Sequence, residues 1–93
     1  MNISESFSLI EGSFKSDEAR EILLNVISAK IQFHQMKNLS SKERFGKQDD
    51  QSVKRIEELK KTMERVLEIV AESKKIDSSI YISSSIGIQK NNS

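Results

Sequence analysis

Residues 50–75, DQSVKRIEELKKTMERVLEIVAESKK, contain neither Gly nor Pro, and this uninterrupted run constrains the fold more than any other part of the chain. Ile56, Leu59, Met63, Val66 and Val70 recur at alternating spacings of three and four. That rhythm makes one apolar seam along a helix, here widened by Val53 and Leu67. Asp49, Asp50 and Ser52 are all suitable N-cap residues, and Lys74 and Lys75 would complement the negative end of the helix dipole. Glu57 with Lys61, Lys61 with Glu64 and Arg65 with Glu68 lie three or four apart on the other side, which reads as a solvated, weakly self-paired face. The seam is long enough for a hairpin partner and too short for an extended coiled coil.

The partner lies upstream. Ser16-Asp17-Glu18 supplies a capping hydroxyl followed by two carboxylates, which predicts a helix over 17–38. At about 100° per residue, Met36, Ala29, Ile22, Phe33, Val26, Ala19 and Leu23 form one stripe, and Leu24, Ile27 and Ile31 widen it to an arc of roughly 240°. A surface helix needs a stripe only a little over 100° wide, so Leu24, Ile27 and Ile31 are the candidate surface for a second copy. The competing expectation is that strands and second helix wrap this helix from two sides within one chain.

Two further segments read as strands. Residues 80–88, IYISSSIGI, place Ile80, Ile82, Ile86 and Ile88 on one face and Tyr81, Ser83, Ser85 and Gly87 on the other, the pattern of a half-buried strand. Residues 7–14, FSLIEGSF, alternate imperfectly. Phe7 and Leu9 fall on one face and Ile10 and Phe14 on the other, which predicts burial on both faces or a kink near Gly12. The expected architecture is α+β, in the order βααβ, over a single domain spanning 1–93. A long antiparallel helical hairpin packs on a two-stranded antiparallel sheet, with a loop at 39–49 and a polar tail at 89–93. A two-stranded ribbon is marginal in water and has two open edges, so extension by a symmetric oligomer is expected.

Composition narrows the chemistry. In 93 residues there are 15 basic and 14 acidic side chains, a net charge of +1, which supplies no field to draw the chain onto nucleic acid or anionic lipid. Without Cys and with a single His, neither a disulfide nor a thiolate nucleophile can form, and neither a metal site nor a cofactor is expected. The opening residues show no export signal and no apolar run is long enough to span a bilayer, so a soluble, cytoplasmic protein without membrane attachment is expected. No glycine-rich phosphate loop or nucleophile elbow is present, and no enzyme activity is expected.

The stretch FHQMKNLSSKERFGKQDD, 33–50, holds the only His and a run of polar and charged residues. Lys37, Lys42, Arg44 and Lys47 around Phe45 are a candidate basic patch for a phosphate or nucleic acid, diluted by Glu43, Asp49 and Asp50. The structural alternative is a packed connection in which Ser41 caps a turn, Gly46 adopts a conformation other residues avoid, and Phe45 plugs the end of the hairpin. The string His34-Gln35-Met36-Lys37-Asn38-Leu39 resembles the phospho-acceptor box of one histidine-kinase subfamily. That resemblance implies phosphoryl transfer to His34, although the spacing departs from the box and the adjacent acidic residue is missing. The strand-helix-helix beginning also resembles ribbon-helix-helix repressors, whose helices are much shorter and whose strand carries alternating polar side chains to read bases. The expected function is a small non-catalytic interaction or scaffold domain, a homodimer or higher homo-oligomer that could also bind another protein. A nucleic-acid or phosphate module and a His34 phosphotransfer protein are the alternatives.

Overall fold

A computed structural model of the chain describes residues 3–91. The order is βααβ: β1 (Ile3–Phe14), α1 (Ser16–Phe45), α2 (Asp50–Lys75) and β2 (Ile80–Lys90). The strands pair antiparallel in a two-stranded sheet, as the α+β reading expects. β2 takes in Gln89 and Lys90 of the expected tail; residues 92 and 93 lie outside the described residues.

The helices form an antiparallel hairpin whose ends can be matched. At one end the Lys74 ammonium lies 3.4 Å from the Asp17 carboxylate. At the other, the Asp49 N–H donates to the Asn38 side-chain carbonyl at 2.8 Å. Since α1 continues to Phe45, it overhangs the start of α2 by nearly two turns. The expected loop at 39–49 is therefore a helix as far as Phe45 and a connection only from Gly46. Ser40 and Ser41 cost a helix only a few tenths of a kcal/mol each, too little to end it. Gly46 ends it by turning left-handed, φ 69°, and its N–H closes the last turn on the Lys42 carbonyl at 2.9 Å. The connection then folds back along the overhang, where the Ser41 hydroxyl donates to the Lys47 carbonyl at 3.0 Å. Ser41 is thus not a cap but a clasp. At the N-terminus Lys15, not Ser16, holds the extended N-cap position, and Asp17 and Glu18 occupy the first turn.

The two helices meet through complementary rows. On α2 the buried Leu59, Val70, Ser52 and Ser73 and the half-buried Ile56, Met63 and Val66 lie on one side, which is the seam the spacing predicts. On α1 the covered row is Leu24, Ile27, Ile31, His34, Asn38 and Ser41, again spaced three and four. The hairpin thus buries apolar side chains along its middle and polar ones where the connection closes it. Ser73 does the same at the far end, donating its hydroxyl to the Ser78 carbonyl at 2.6 Å where Asp77 turns the chain with φ 51°.

In the sheet, pairing runs without interruption from Phe14↔Ile80 to Ile10↔Ser84, skips Leu9, and resumes from Ser8↔Ser85 outward. Leu9 is the extra residue of a β-bulge. It corrects the expected two-faced alternation: because one residue is skipped, Phe7 returns to the face of Ile10 and Phe14 and lies opposite Ile86. No kink at Gly12 is needed. One face of the ribbon therefore carries Phe14, Ile10 and Phe7 with Ile80, Ile82, Ile86 and Ile88. The other carries Ser13, Ser8, Ser6 and Ser4 with Tyr81, Ser83, Ser85 and Gly87.

The helices cover only the root of that apolar face. Ile82 is 7% exposed, whereas Ile86 is 42%, Phe7 48% and Ile88 54% exposed. A hollow of about 300 Å³ lined by Leu23, Val66, Ile69, Ile80 and Ile82 marks where ribbon and hairpin meet. The molecule measures 50 × 36 × 14 Å, and its thinnest dimension is little more than one helix diameter.

Candidate interaction surfaces

The three residues expected to face a second copy lie instead in the hairpin. Ile27 is buried and Leu24 and Ile31 are half-buried, all in the α1 row turned toward α2. The expected division of α1 is inverted. Val26, Ala29, Phe33 and Met36, assigned to the inner stripe, are exposed on a second row that begins at Ile22 and ends at Ser40. That row, at 22, 26, 29, 33, 36 and 40, has the same alternating spacing as the first and lies on nearly the opposite side of the helix. Lys30 flanks it with its ammonium 5.7 Å from the centre of the Phe33 ring.

The basic patch is brought together in part. Lys37, Arg44 and Phe45 line one shallow hollow of about 350 Å³ with Ser40, Ser41 and Asp49, whereas Lys42 and Lys47 do not border it. The Lys37 ammonium lies 3.9 Å from the Asp49 carboxylate, so an acid already sits inside the patch. Phe45 is 71% exposed and plugs nothing.

His34 is half-buried in the inner row. Its ring meets Phe33 edge to face at 5.2 Å, and its Nδ1 is buried without a hydrogen-bond partner among the described residues. The neighbours that give the stretch its kinase-like appearance serve the hairpin: Lys37 pairs with Asp49 and Asn38 accepts the Asp49 N–H. Asp49 in turn accepts the Ser52 hydroxyl at 3.0 Å, so Asn38, Asp49 and Ser52 form one chain of bonds holding the start of α2 against α1.

At the opposite end, the Lys74–Asp17 pair lies in a hollow of about 590 Å³ that Lys15, Glu18 and Asp77 also line. Its charges are mixed and exposed, which gives it no preference for either sign of ligand. Among the described residues no group of three or more His, Asp or Glu side chains is placed to hold a metal ion, and no helix is long and apolar enough to cross a membrane.

Two surfaces remain that sequence reasoning did not single out: the outer row of α1 and the tip of the ribbon. For the first the signal was present, since two rows with the same rhythm can be counted on one helix. For the second it was hidden by the bulge. No protein-family model matches the chain, and neither a curated protein nor a solved structure matches it significantly.

Proposed function

We propose that this chain is a small non-catalytic interaction or scaffold unit that assembles with copies of itself. The observation that carries the reading is its surface. The chain exposes 7470 Å², whereas a compact chain of 10.6 kDa exposes about 5500 Å². The excess of roughly 2000 Å² is of the order that an obligate assembly removes from each subunit. The radius of gyration agrees, at 16.9 Å against about 12 Å for a compact chain of this length. The excess also has the right chemistry, because Val26, Phe33 and Met36 on α1 and Phe7, Ile86 and Ile88 on the ribbon are large apolar residues left exposed.

The test is solution mass by light scattering over a wide concentration range, at low and high salt. A mass above one chain that persists in high salt is expected, because apolar burial is not screened. A single-chain mass throughout refutes the reading. A phosphate or nucleic-acid module would instead show binding that falls steeply with salt, and the ion pair of Lys37 with Asp49 already weighs against it.

A further inference from the structure

Among the described residues, the outer row of α1 and the tip of the ribbon are two uncovered apolar surfaces of different shape, and the difference bears on how a second copy sits. The tip of the ribbon is sided. Phe7, Ile86 and Ile88 lie on one face and Ser6, Ser8 and Ser85 on the other. The bulge at Leu9 keeps Phe7 in that set beyond the point where the helices stop covering it. A ribbon standing alone in water gains nothing from a sided tip, whereas a ribbon covered on one face requires it.

The outer row of α1 is the matching shape. From Val26 to Met36 it is about 15 Å long at the rise of a helix, and the tip face from Ile86 to Lys90, apolar as far as Ile88, is about 13 Å long at the rise of a strand. The small Ala29 sits mid-row and lets a backbone approach closely. Between Glu21 and Glu43 the helix has no acidic residue, only Lys30 and Lys37 beside the row. Lys37 is already paired with Asp49, which leaves Lys30 as the unpaired charge beside the row, and the tip carries Glu5 directly across from Ile88, with Lys90 at its end.

Area decides between a contact that uses one surface of each copy and a contact that uses both. One contact of standard size removes about 800 Å² from each partner, which leaves more than half of the excess uncovered. A head-to-tail contact engages each copy twice, once through its tip and once through its row, and removes about 1600 Å² per chain. On these grounds we infer that the apolar tip of the ribbon packs onto the outer row of α1 in a second copy, with Glu5 beside Lys30. The contact places a helix on a sheet face, one of the standard two-layer solutions. It covers both surfaces of every copy whether two copies exchange tips about a two-fold axis or the contact propagates into a ring or a fibre.

The inference rests on the proposed self-assembly, and the experiment separates the two. Ile88→Asp spoils every tip and Phe33→Asp every row, and neither position is buried, so both chains keep the helical circular dichroism of the unmodified protein. Each variant alone is expected at single-chain mass, with at least a tenfold rise in the concentration needed to assemble. Mixed, they are expected to form a finite 1:1 pair, since one still has a good row and the other a good tip. If the unmodified chain assembles but either variant keeps its mass, or the mixture forms no pair, the head-to-tail contact is overturned while self-assembly stands. If the unmodified chain does not assemble, both fail. Should a variant lose its helical spectrum, single cysteines decide, because the chain has none of its own. Ile88→Cys and Ala29→Cys are expected to crosslink under oxidation when mixed and not when alone. Crosslinking of either by itself overturns the inference.

Discussion

Replacing Asn38 by Ala separates a structural reading of the His34–Leu39 stretch from a phosphotransfer reading. The Asn38 side-chain carbonyl accepts the Asp49 N–H at 2.8 Å, half-buried, and Asp49 is the N-cap residue of α2. The substitution removes a neutral hydrogen bond worth about 1–1.5 kcal/mol and leaves a partly enclosed N–H without an acceptor, a further cost of up to about 1 kcal/mol. Alanine recovers about 0.5 kcal/mol through its better helix propensity. The net loss is about 0.5–2 kcal/mol, or a fall in Tm of about 2–15 °C for a domain of this size. Thermal unfolding followed by helical circular dichroism, at one fixed protein concentration because association would shift Tm, reads it directly. Gln35→Ala, on the exposed side of the same helix, serves as the control and should stay within about 0.5 kcal/mol of the parent. An Asn38→Ala protein as stable as the parent refutes the clasp, and acid-labile phosphate on the parent that Asn38→Ala or His34→Ala abolishes would reinstate the kinase-like reading.

Three other outcomes follow from burial and register. Ile27→Ala, at a position 8% exposed, should lose about 2–4 kcal/mol in urea unfolding; a loss under about 1 kcal/mol would mean that Ile27 is not enclosed by the hairpin. Deleting Leu9, the bulged residue, should leave every other strand pair in register, because Ser8 and Ile10 already face adjacent residues of β2. Stability should then change by less than about 1 kcal/mol, whereas deleting Ser13 should turn the rest of β1 over and cost several-fold more; equal effects would refute the assigned register. Phe45→Ser, at an exposed position, should change unfolding by under about 0.5 kcal/mol, and a large loss would restore Phe45 as a plug.

What the sequence made legible follows from how local its causes are. α2 begins and ends as read, because an unbroken seam, an acidic start and a basic last turn are all local to the element. β2 was equally plain, since Ile80, Ile82, Ile86 and Ile88 fall on one face of a period of two, a pattern that needs no partner to interpret. The end of α1 was misread because Ser40 and Ser41 look like breakers, while the residue able to stop a helix is Gly46. The two rows of α1 were exchanged for a subtler reason. Hydropathy favours the outer row, with Val26, Phe33 and Met36, over the inner row, which ends in His34, Asn38 and Ser41. The inner row faces α2 nonetheless, because those polar groups lie where the hairpin closes, and Asn38 and Ser41 bond to the returning chain. The bulge was invisible because an extra residue in one strand is defined only by the strand it faces.

A helix with two rows on nearly opposite sides is hard to reconcile with a chain that ends its architecture at one layer. The hairpin and ribbon together are 14 Å thin, and the buried apolar side chains among the described residues are Ala19, Ile27, Leu59, Val70 and Ile82. Domains normally enclose a core between at least two layers, and here α1 already has α2 on one side and Leu23 against the ribbon root. Its second row therefore faces where a further layer would begin, and the sided tip of the ribbon is an element shaped to supply such a layer to a neighbour. Each surface has a length and apolar character that suit the other. On the proposed reading, self-assembly would complete a core that the single chain only half builds, and a loss of either surface should then be felt as a loss of both.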